Sequence, residues 1–471
     1  MNQNLPKPIE PIFITSTPDS PVTLLDEHAE VLPWTDQEKL QGIGQLKITQ
    51  HWSPMRHVFE FKGELIDLDE SIEHEADVFS EKNWSYFGDS IKIIGRNFRT
   101  IGFVDCGDDF LEGEIEDEAL EIGTDHKLNR AIFHLPNYPN PSGGQSIDSD
   151  EHEYRAYHLS EIRLEAQGWR IRIQPLKNFQ QLEWAADEKY GSVINAVGEI
   201  TKQELIPFKP RDLKQLLESL HFFLSFTFCE WTPPLFVVGS NDVKERSWQY
   251  FKNHDIRRVR YGGLKGWLSI RGGDQLSSAF QGFTKKWSDP NWREPLKSAI
   301  KWLVESSVLK DRDILGAITF AQIPLEMLAW MVFVDEEEII NENEFDKLSA
   351  ASKIQLLLSR CQIDFSIDSD PVLKEISNNS KFNTGPKLIT KVRNTIIHPN
   401  KSNRELLDTW ANKHGIPVFK IYSRTFELFE HYLLLVMLYL LGYGGEYRDR
   451  LTRSIFSSST RVPWADKGGE A

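Results

Sequence analysis

Four leucines near residue 213 mark the point at which the hydrophobic pattern of this chain changes. Leu213, Leu216, Leu217 and Leu220 are spaced i, i+3, i+4 and i+7, which places them on one face of a helix. Before them, short apolar segments such as residues 91–94 and 169–174 alternate or are bounded by turn residues, as in strands. The sequence therefore predicts an α+β protein with an antiparallel β-rich N-terminal region and a helical C-terminal region.

The same patterns divide the 471 residues into five regions. Six prolines predict an irregular lead-in over residues 1–40. An acidic β-rich domain is expected over 41–205, and an α/β connecting module with a basic-aromatic segment over 206–290. Residues 291–460 predict a helical bundle, which starts near Pro295 and is followed by a tail over 461–471. Long helices are expected over residues 314–334, 345–361, 386–397 and 421–442.

The acidic charge lies almost entirely in the N-terminal part. Residues 1–200 contain 17 basic and 37 acidic side chains, a net charge of −20. The remaining 37 basic and 33 acidic side chains leave the rest of the chain at +4, so it can present a basic face to RNA. Three explanations fit the acidic charge of the N-terminal half: it keeps the protein soluble, it repels RNA, or it binds a basic partner.

Three widely spaced cysteines, and an N-terminus with neither the basic nor the apolar region of a secretory signal, indicate a reducing compartment. Cys106, Cys229 and Cys361 form no CxxC pair, which argues against a zinc site or a disulfide framework. The apolar run over residues 432–441 is shorter than the roughly 20 residues that a membrane helix needs. We expect a cytoplasmic protein with no membrane partner.

Arg393 and His398 form the candidate catalytic pair. They would lie about 140° apart on an unbroken helix. Pro399 disfavours helical geometry at the residue before it, so His398 is expected at or beyond the helix end, where its ring can turn back towards Arg393. Asn394 adds a polar group at the same end.

Cleavage of RNA by attack of its own 2′-hydroxyl needs proton-transfer groups and a cation. A base removes the hydroxyl proton, an acid protonates the leaving 5′-oxygen and a cation offsets charge on the phosphorane. Histidine suits the proton transfers and arginine the phosphate clamp. Because each chain offers one such histidine, a homodimer with two facing motifs would supply the second. A spacing of Arg-x4-His alone occurs by chance about once in a chain of this length. An arginine at a helix end followed by a turn histidine is the alternative reading.

Arg393-Asn394 followed by His398-Pro399 resembles the motif of HEPN ribonucleases. Residues 323–330 resemble the long second helix of such domains, and residues 440–451 and 222–226 fit the same larger proteins. Over roughly 195–465 the chain resembles ApeA-like HEPN proteins, which are linked to abortive defence against phage. The resemblance implies a metal-independent, often dimeric endoribonuclease that needs no cofactor and in some members cuts tRNA. It implies catalytic roles for Arg393, His398 and Asn394.

Other residues are candidates for supporting roles. Glu326 lies in an apolar helix, where it either orients the catalytic pair or faces solvent. A basic-aromatic segment is expected to bind RNA or to form a solvated surface, and it contains Arg257, Arg258, Arg260, Tyr261, Lys265 and Trp267. Asp148, Asp150 and His152 are better explained as an acidic loop than as metal ligands.

The sequence therefore predicts an endoribonuclease with a defence or toxin role. Its N-terminal domain would sense a phage-derived or host protein, or restrain the nuclease. Two alternatives are a non-catalytic HEPN-like scaffold of a defence or toxin–antitoxin system and a metal-dependent nuclease. The second is weaker because the helical half has no clustered acidic motif.

Overall fold

The protein is α+β, with antiparallel sheets in its N-terminal half and helices in its C-terminal half. The computed structural model describes residues 6–33, 40–52, 55–67, 91–93, 96–98, 100–101, 110–115, 119–123, 126–146, 160–242, 246–256, 265–269, 271–367, 370–377, 382–398, 400–451 and 459–465. Its strand pairs within these ranges are antiparallel, as the sequence predicts.

The first sheet is built from the N-terminal strands in the order β5-β4-β1-β2-β3-β7-β6. These strands are β1 (Val22–Pro33), β2 (Leu40–Trp52), β3 (Met55–Asp67), β4 (Ile91–Ile93), β5 (Arg96–Phe98), β6 (Thr100–Ile101) and β7 (Phe110–Ile115). Strand β1 corrects the expected irregular lead-in over residues 1–40. Pro18 and Pro21 precede β1 and Pro33 is its last residue, so no proline interrupts its pairing with β2.

The second sheet crosses the boundary predicted at residue 205. Its order is β10-β11-β12-β13-β9-β14-β15-β8, so strands from the expected connecting module pair with strands from the acidic domain. The strands are β8 (Ala119–Gly123), β9 (Arg130–Pro136), β10 (Gln145–Ser146), β11 (Ser160–Ala166), β12 (Trp169–Pro175), β13 (Ile194–Lys202), β14 (Leu235–Ser240) and β15 (Trp248–Lys252).

Strand β9 is buried on both faces. Ile132 packs with the core of the first sheet, whereas Phe133 packs with the core that extends into the helices. Successive side chains of a strand point to opposite faces, so β9 contributes to both cores. The opposing Gly198 on β13 leaves room for the Phe133 ring, since a Cβ at Gly198 would lie 2.1 Å from that ring. The second sheet is therefore the middle layer between the first sheet and the helices.

The segment before β1 docks on the middle layer through His134 of β9. His134 Nδ1 donates to the carbonyl oxygen of Phe236, so Nε2 is free to accept the backbone N–H groups of Ile12 and Phe13 at 3.0 and 3.1 Å. The Gln174 side chain donates to the carbonyl oxygen of Ile9. These bonds satisfy backbone groups of an otherwise irregular segment.

Helices form the third layer. They are α2 (Pro210–Phe228), α3 (Leu276–Trp287), α4 (Pro290–Leu309), α5 (Ile314–Trp330), α6 (Glu342–Asp346), α7 (Ala350–Arg360), α8 (Pro371–Ser377), α9 (Gly385–Ile397), α10 (Lys401–His414) and α11 (Val418–Leu440). Helix α1 (Phe179–Lys189), which follows β12 in the chain, packs instead in the core of the first sheet through Leu182 and Ala186. The four predicted leucines of α2 are buried. A short pair, β16 (Glu446–Arg448) and β17 (Ser459–Arg461), follows α11.

Two helix boundaries differ from the expectation. Helix α4 begins at Pro290 rather than Pro295, because Asp289 caps it by accepting the N–H of Asn291. The segment expected as one helix over 345–361 is divided into α6 and α7. There the Ser349 hydroxyl accepts the N–H of Ser352 and starts a new helix.

Helix α5 is the central helix of the bundle and ends in a π-helical segment, Met331–Glu336. The span Ile314–Glu336 is long and apolar enough to cross a membrane, a test that core helices of soluble proteins also pass. Helix α5 packs against α4, α7, α9 and α11. Its apolar face is therefore used within the bundle.

Protonation of His134 is expected to destabilise the fold. Burial lowers its pKa to about 4, whereas an unfolded histidine titrates near 6.5. The unfolded state therefore binds more protons between these values, and stability is lost as pH falls through this window. Replacing His134→Gln should make the loss of unfolding free energy between pH 7 and pH 5 smaller by about 2 kcal/mol, measured by urea denaturation.

The matched control is His126→Gln, which changes an exposed histidine. It should leave the pH dependence of the wild type in place. An equal pH dependence of stability in His134→Gln and wild type would contradict the claim that protonation of His134 destabilises the fold.

Candidate functional site

Helix α9 presents the predicted catalytic residues at its C-terminal end. Pro386 stands in its first turn, where a missing N–H costs nothing. Its buried side includes Leu388, Ile389 and Val392, which pack in the core of the bundle. The helix ends at Ile397, as predicted from the following His398-Pro399.

His398 is the C-cap residue of α9 and its side chain is exposed. Its backbone has φ −117° and ψ 73°, outside the helical region, while its N–H still donates to the carbonyl oxygen of Asn394 at 3.0 Å. Pro399 lies outside the described residues. The ring of His398 is therefore accessible at a helix end, where the helix dipole favours a cation.

Arg393 is half-buried one turn before the helix end. Its Nη1 donates to Oδ1 of Asn394 at 3.4 Å, and its buried Nε has no hydrogen-bond partner. No carboxylate pairs with this guanidinium among the residues that the structure describes. Helix α9 itself contains no acidic residue. Within the described ranges, the Arg393 charge is thus not neutralised by a carboxylate of the protein.

Asn403 stabilises the turn between α9 and α10 through side-chain hydrogen bonds, a role that the sequence analysis did not predict. Its Nδ2 donates to the carbonyl oxygen of His398 at 2.7 Å, and its Oδ1 accepts from Lys391 Nζ at 2.9 Å. Its own N–H bonds to the side chain of Asn400, the N-cap of α10. The spacing Asn-x-x-Asn after a proline is the signal that would have indicated a capped helix start.

Glu326 does not reach the helix end. Its Oε1 accepts a hydrogen bond from Gln322 Nε2 at 2.6 Å, one turn earlier on α5. Within the described ranges it forms no ion pair or hydrogen bond with Arg393 or His398. The half-buried carboxylate is satisfied within its own helix, so the structure provides no contact through which Glu326 would orient the pair.

The expected RNA-binding segment is described only in part. Arg257, Arg258, Arg260 and Tyr261 lie outside the described residues, as do Asp148, Asp150 and His152. Lys265 forms ion pairs with Asp311 at 3.3 Å and Glu230 at 3.9 Å.

Trp267 is fully buried between the rings of Phe226 and Tyr443. A buried ring offers no face to an RNA base, which corrects the stacking role expected of Trp267.

Comparisons with known proteins match the middle and the end of the chain. Residues 123–262 match the family described as the YopA central domain, and residues 289–461 match the YopA C-terminal domain. The chain is similar to the SPbeta prophage-derived uncharacterized protein YopA of Bacillus subtilis (strain 168). The two are 25% identical over 353 residues, which cover 72% of each chain. No solved structure matches the chain significantly.

Removing the Asn403 side chain should loosen the helix end that carries His398. Asn403→Ala deletes the bond to the His398 carbonyl and leaves Lys391 without its acceptor, at a cost of about 1 kcal/mol. Hydrogen-exchange mass spectrometry should show faster exchange in peptides that cover residues 394–403. Asn412→Ala, an exposed change on the same helix, is the control and should leave this exchange unchanged. Unchanged protection in Asn403→Ala would show that the turn is held by other contacts.

Proposed function

We propose that this protein is a metal-independent HEPN-type endoribonuclease whose catalytic groups are Arg393, His398 and Asn394. The observation that supports the proposal best is the charge state of the helix end. Arg393, which has no carboxylate partner among the described residues, lies five residues before the exposed His398. A half-buried cation without a counter-ion is costly in a protein that has no anion to bind. RNA phosphate would supply the missing anion.

The chemistry follows from the properties of the two side chains. A neutral imidazole of His398 removes the proton of the RNA 2′-hydroxyl, and the 2′-oxygen attacks the adjacent phosphorus. The bond from phosphorus to the 5′-oxygen breaks, and an imidazolium protonates that oxygen. Arg393 donates two parallel hydrogen bonds to the phosphate oxygens and offsets the charge that builds up on them. The products are a 2′,3′-cyclic phosphate and a 5′-hydroxyl.

One histidine cannot serve as base and acid in the same step. A homodimer in which two α9 helix ends face each other would place a second His398 on the opposite side of the phosphate. Because the His398 side chain is exposed at the end of a helix, a second copy of the chain can approach it. Asn394 would orient Arg393, to which it is already hydrogen-bonded.

The biological setting that fits this activity is conflict between phage and bacterium. The relative from Bacillus subtilis is described as prophage-derived. A nuclease that cuts host RNA, with tRNA as the first substrate class to test, would act as a toxin or as an abortive defence in the cytoplasm. The N-terminal region would sense a phage-derived or host protein or restrain the nuclease.

A non-catalytic scaffold is the second candidate. The observation that favours it is that Glu326 bonds to Gln322, which leaves the helix end without a supporting carboxylate from α5. In that case the cationic end of α9 would dock an acidic partner and no RNA would be cut.

Replacing His398→Ala should abolish RNA cleavage without unfolding the protein, since the side chain is exposed. Removal of a proton-transfer group lowers a rate by about 100- to 10,000-fold. Total tRNA and single-stranded DNA, incubated with each protein in chelator, would be read on a denaturing gel. Wild type should produce RNA fragments that end in a 2′,3′-cyclic phosphate and leave DNA intact, because DNA lacks the 2′-hydroxyl.

His414→Ala is the matched control, because it removes a histidine at the end of the next helix, where it pairs with Glu375. This variant should cut RNA as wild type does. Cleavage by His398→Ala at the wild-type rate would reject the site. If wild type shows no cleavage even after addition of phage-infected cell extract, the scaffold becomes the better account.

Arg393→Lys should separate charge from geometry. Lysine keeps the positive charge but cannot donate two parallel hydrogen bonds to a phosphate. We expect the cleavage rate to fall at least about tenfold, while RNA binding at low salt changes much less. Lys387→Arg, on an exposed position of the same helix, serves as the reciprocal control and should have no effect. Equal rates for Arg393→Lys and wild type would rule out the bidentate clamp.

A further inference from the structure

A cavity of about 590 Å³ lies between α2, α4 and the end of β15, at a distance along the chain from α9. Its lining includes cations and aromatic rings together with two histidines, His221 and His254. Ligand pockets of drug-sized and cofactor molecules have volumes of roughly 300–1,000 Å³. The volume is therefore sufficient for a mononucleotide.

Two cations of the lining have no counter-ion in the part of the chain that the structure describes. Arg211 at the start of α2 and Lys252 at the end of β15 form no ion pair with any described residue, whereas Lys214 pairs with Glu121 and Lys297 pairs with Glu218. Glu218 also pairs with Arg293, so this acidic side chain of the cavity is neutralised from two sides. Asp255 remains as a carboxylate that can accept from a hydroxyl or amino group.

His221 adds a buried polar atom without a partner. The side chain is 7% exposed, and its Nε2 has no hydrogen bond within the described part of the chain. Its ring lies 4.5 Å from that of His254 and 5.5 Å from that of Trp231, measured between centroids. Burial keeps the pKa of His254 at about 4 and that of His221 well below its ordinary value, so both rings are neutral at pH 7. Buried polar atoms of folded proteins usually have a hydrogen-bond partner, so this nitrogen is available to a ligand that enters the cavity.

Aromatic rings form part of the cavity wall. Trp231, Phe222 and Tyr250 are half-buried and line the same cavity. A flat heterocyclic base packs well on such rings, and the unpaired cations suit a phosphate. Neutral histidine donates or accepts at Nε2 according to its tautomer, which suits the polar edge of a base.

We propose that this cavity binds a nucleoside phosphate, with its phosphate at Arg211 and Lys252 and its base near His221 and Trp231. The ligand is either a free nucleotide or the 5′-phosphorylated terminal nucleotide of an RNA chain, since both carry the same chemistry. The proposal is independent of the ribonuclease activity. Neither a match to the YopA domains nor the α9 site assigns a ligand to this region.

The test uses equilibrium binding to the full-length protein. Isothermal titration calorimetry would be run with AMP, ATP, GMP, adenosine and pyrophosphate, and with a hexaribonucleotide carrying a 5′-phosphate or a 5′-hydroxyl. For the RNA probes the protein would carry His398→Ala, so that no probe is consumed. A nucleotide should bind at least about tenfold more tightly than adenosine or pyrophosphate, because both ends of the ligand contribute. Preference for the 5′-phosphorylated hexamer over free nucleotides would identify an RNA end as the ligand.

Three variants locate the binding. Lys252→Ala and Arg211→Ala should each weaken it by about tenfold or more, the effect of losing a charge-assisted hydrogen bond. His221→Phe retains an aromatic ring of similar size and removes the unpaired nitrogen, so it should bind weakly while unfolding at the same or a higher temperature. Lys301→Ala, on an exposed position of α4 outside the lining, is the control and should bind as wild type does.

Two results would overturn the proposal. One is the absence of heat for every probe at millimolar concentration. The other is binding that Lys252→Ala, Arg211→Ala and His221→Phe all leave unchanged, which would place the ligand elsewhere. Neither result bears on cleavage by His398, and loss of cleavage in His398→Ala would leave the cavity proposal intact.

Discussion

The burial of the central strands of the second sheet on both faces is the constraint on which the rest of the structure depends. Apolar side chains of β9 enter two cores in turn, through Ile132 on one face and Phe133 on the other. A strand of this kind cannot shift its register by one residue without exchanging the two cores. His134 is the buried polar residue of β9, and both of its ring nitrogens form hydrogen bonds with backbone groups. The middle layer thus determines where the first sheet and the helices lie.

Packing contacts within the helical layer position α9 and its C-terminal end. Gly385 at the start of that helix allows the Tyr432 hydroxyl to lie against the backbone, where a Cβ would come within 1.9 Å of the hydroxyl oxygen. The first turn of α9 is therefore held close to α11, and its buried leucine and valine side chains hold the rest. The polar residues Arg393, Asn394 and His398 lie at the C-terminal end of α9. There Asn403 of α10 fixes the geometry by donating a hydrogen bond to the His398 carbonyl oxygen. One turn before the end of this well-packed helix, the buried Nε of Arg393 has no hydrogen-bond partner among the described residues. Such departures from local consistency concentrate at functional sites.

Periodicity in the sequence was sufficient to predict the fold class and most helices, because side-chain burial follows the 3.6-residue repeat directly. The end of α9 was predictable because proline acts on the residue before it. The lead-in was wrong where prolines only flank a strand, as they do in β1. The sheet that joins residues 119–123 to 248–252 could not be predicted, since strand pairing between distant segments has no local signal. The cavity could not be predicted for the same reason, because its two histidines, His221 of α2 and His254 after β15, lie 33 residues apart in the sequence.

The distribution of charge gives the two proposed sites a common physical setting. The first 200 residues carry a net charge of −20, whereas the remainder is near neutral with local clusters of cations. At physiological salt a charge is screened over about 8 Å, so the acidic half repels a polyanion only where the polyanion approaches it. RNA that binds as proposed would then be repelled where it approaches the acidic residues of the N-terminal half. A ligand small enough to enter the cavity beside Arg211 and Lys252 would experience mainly the local cations. The acidic half would thus select the direction of approach for RNA, a role that requires no specific contact with it.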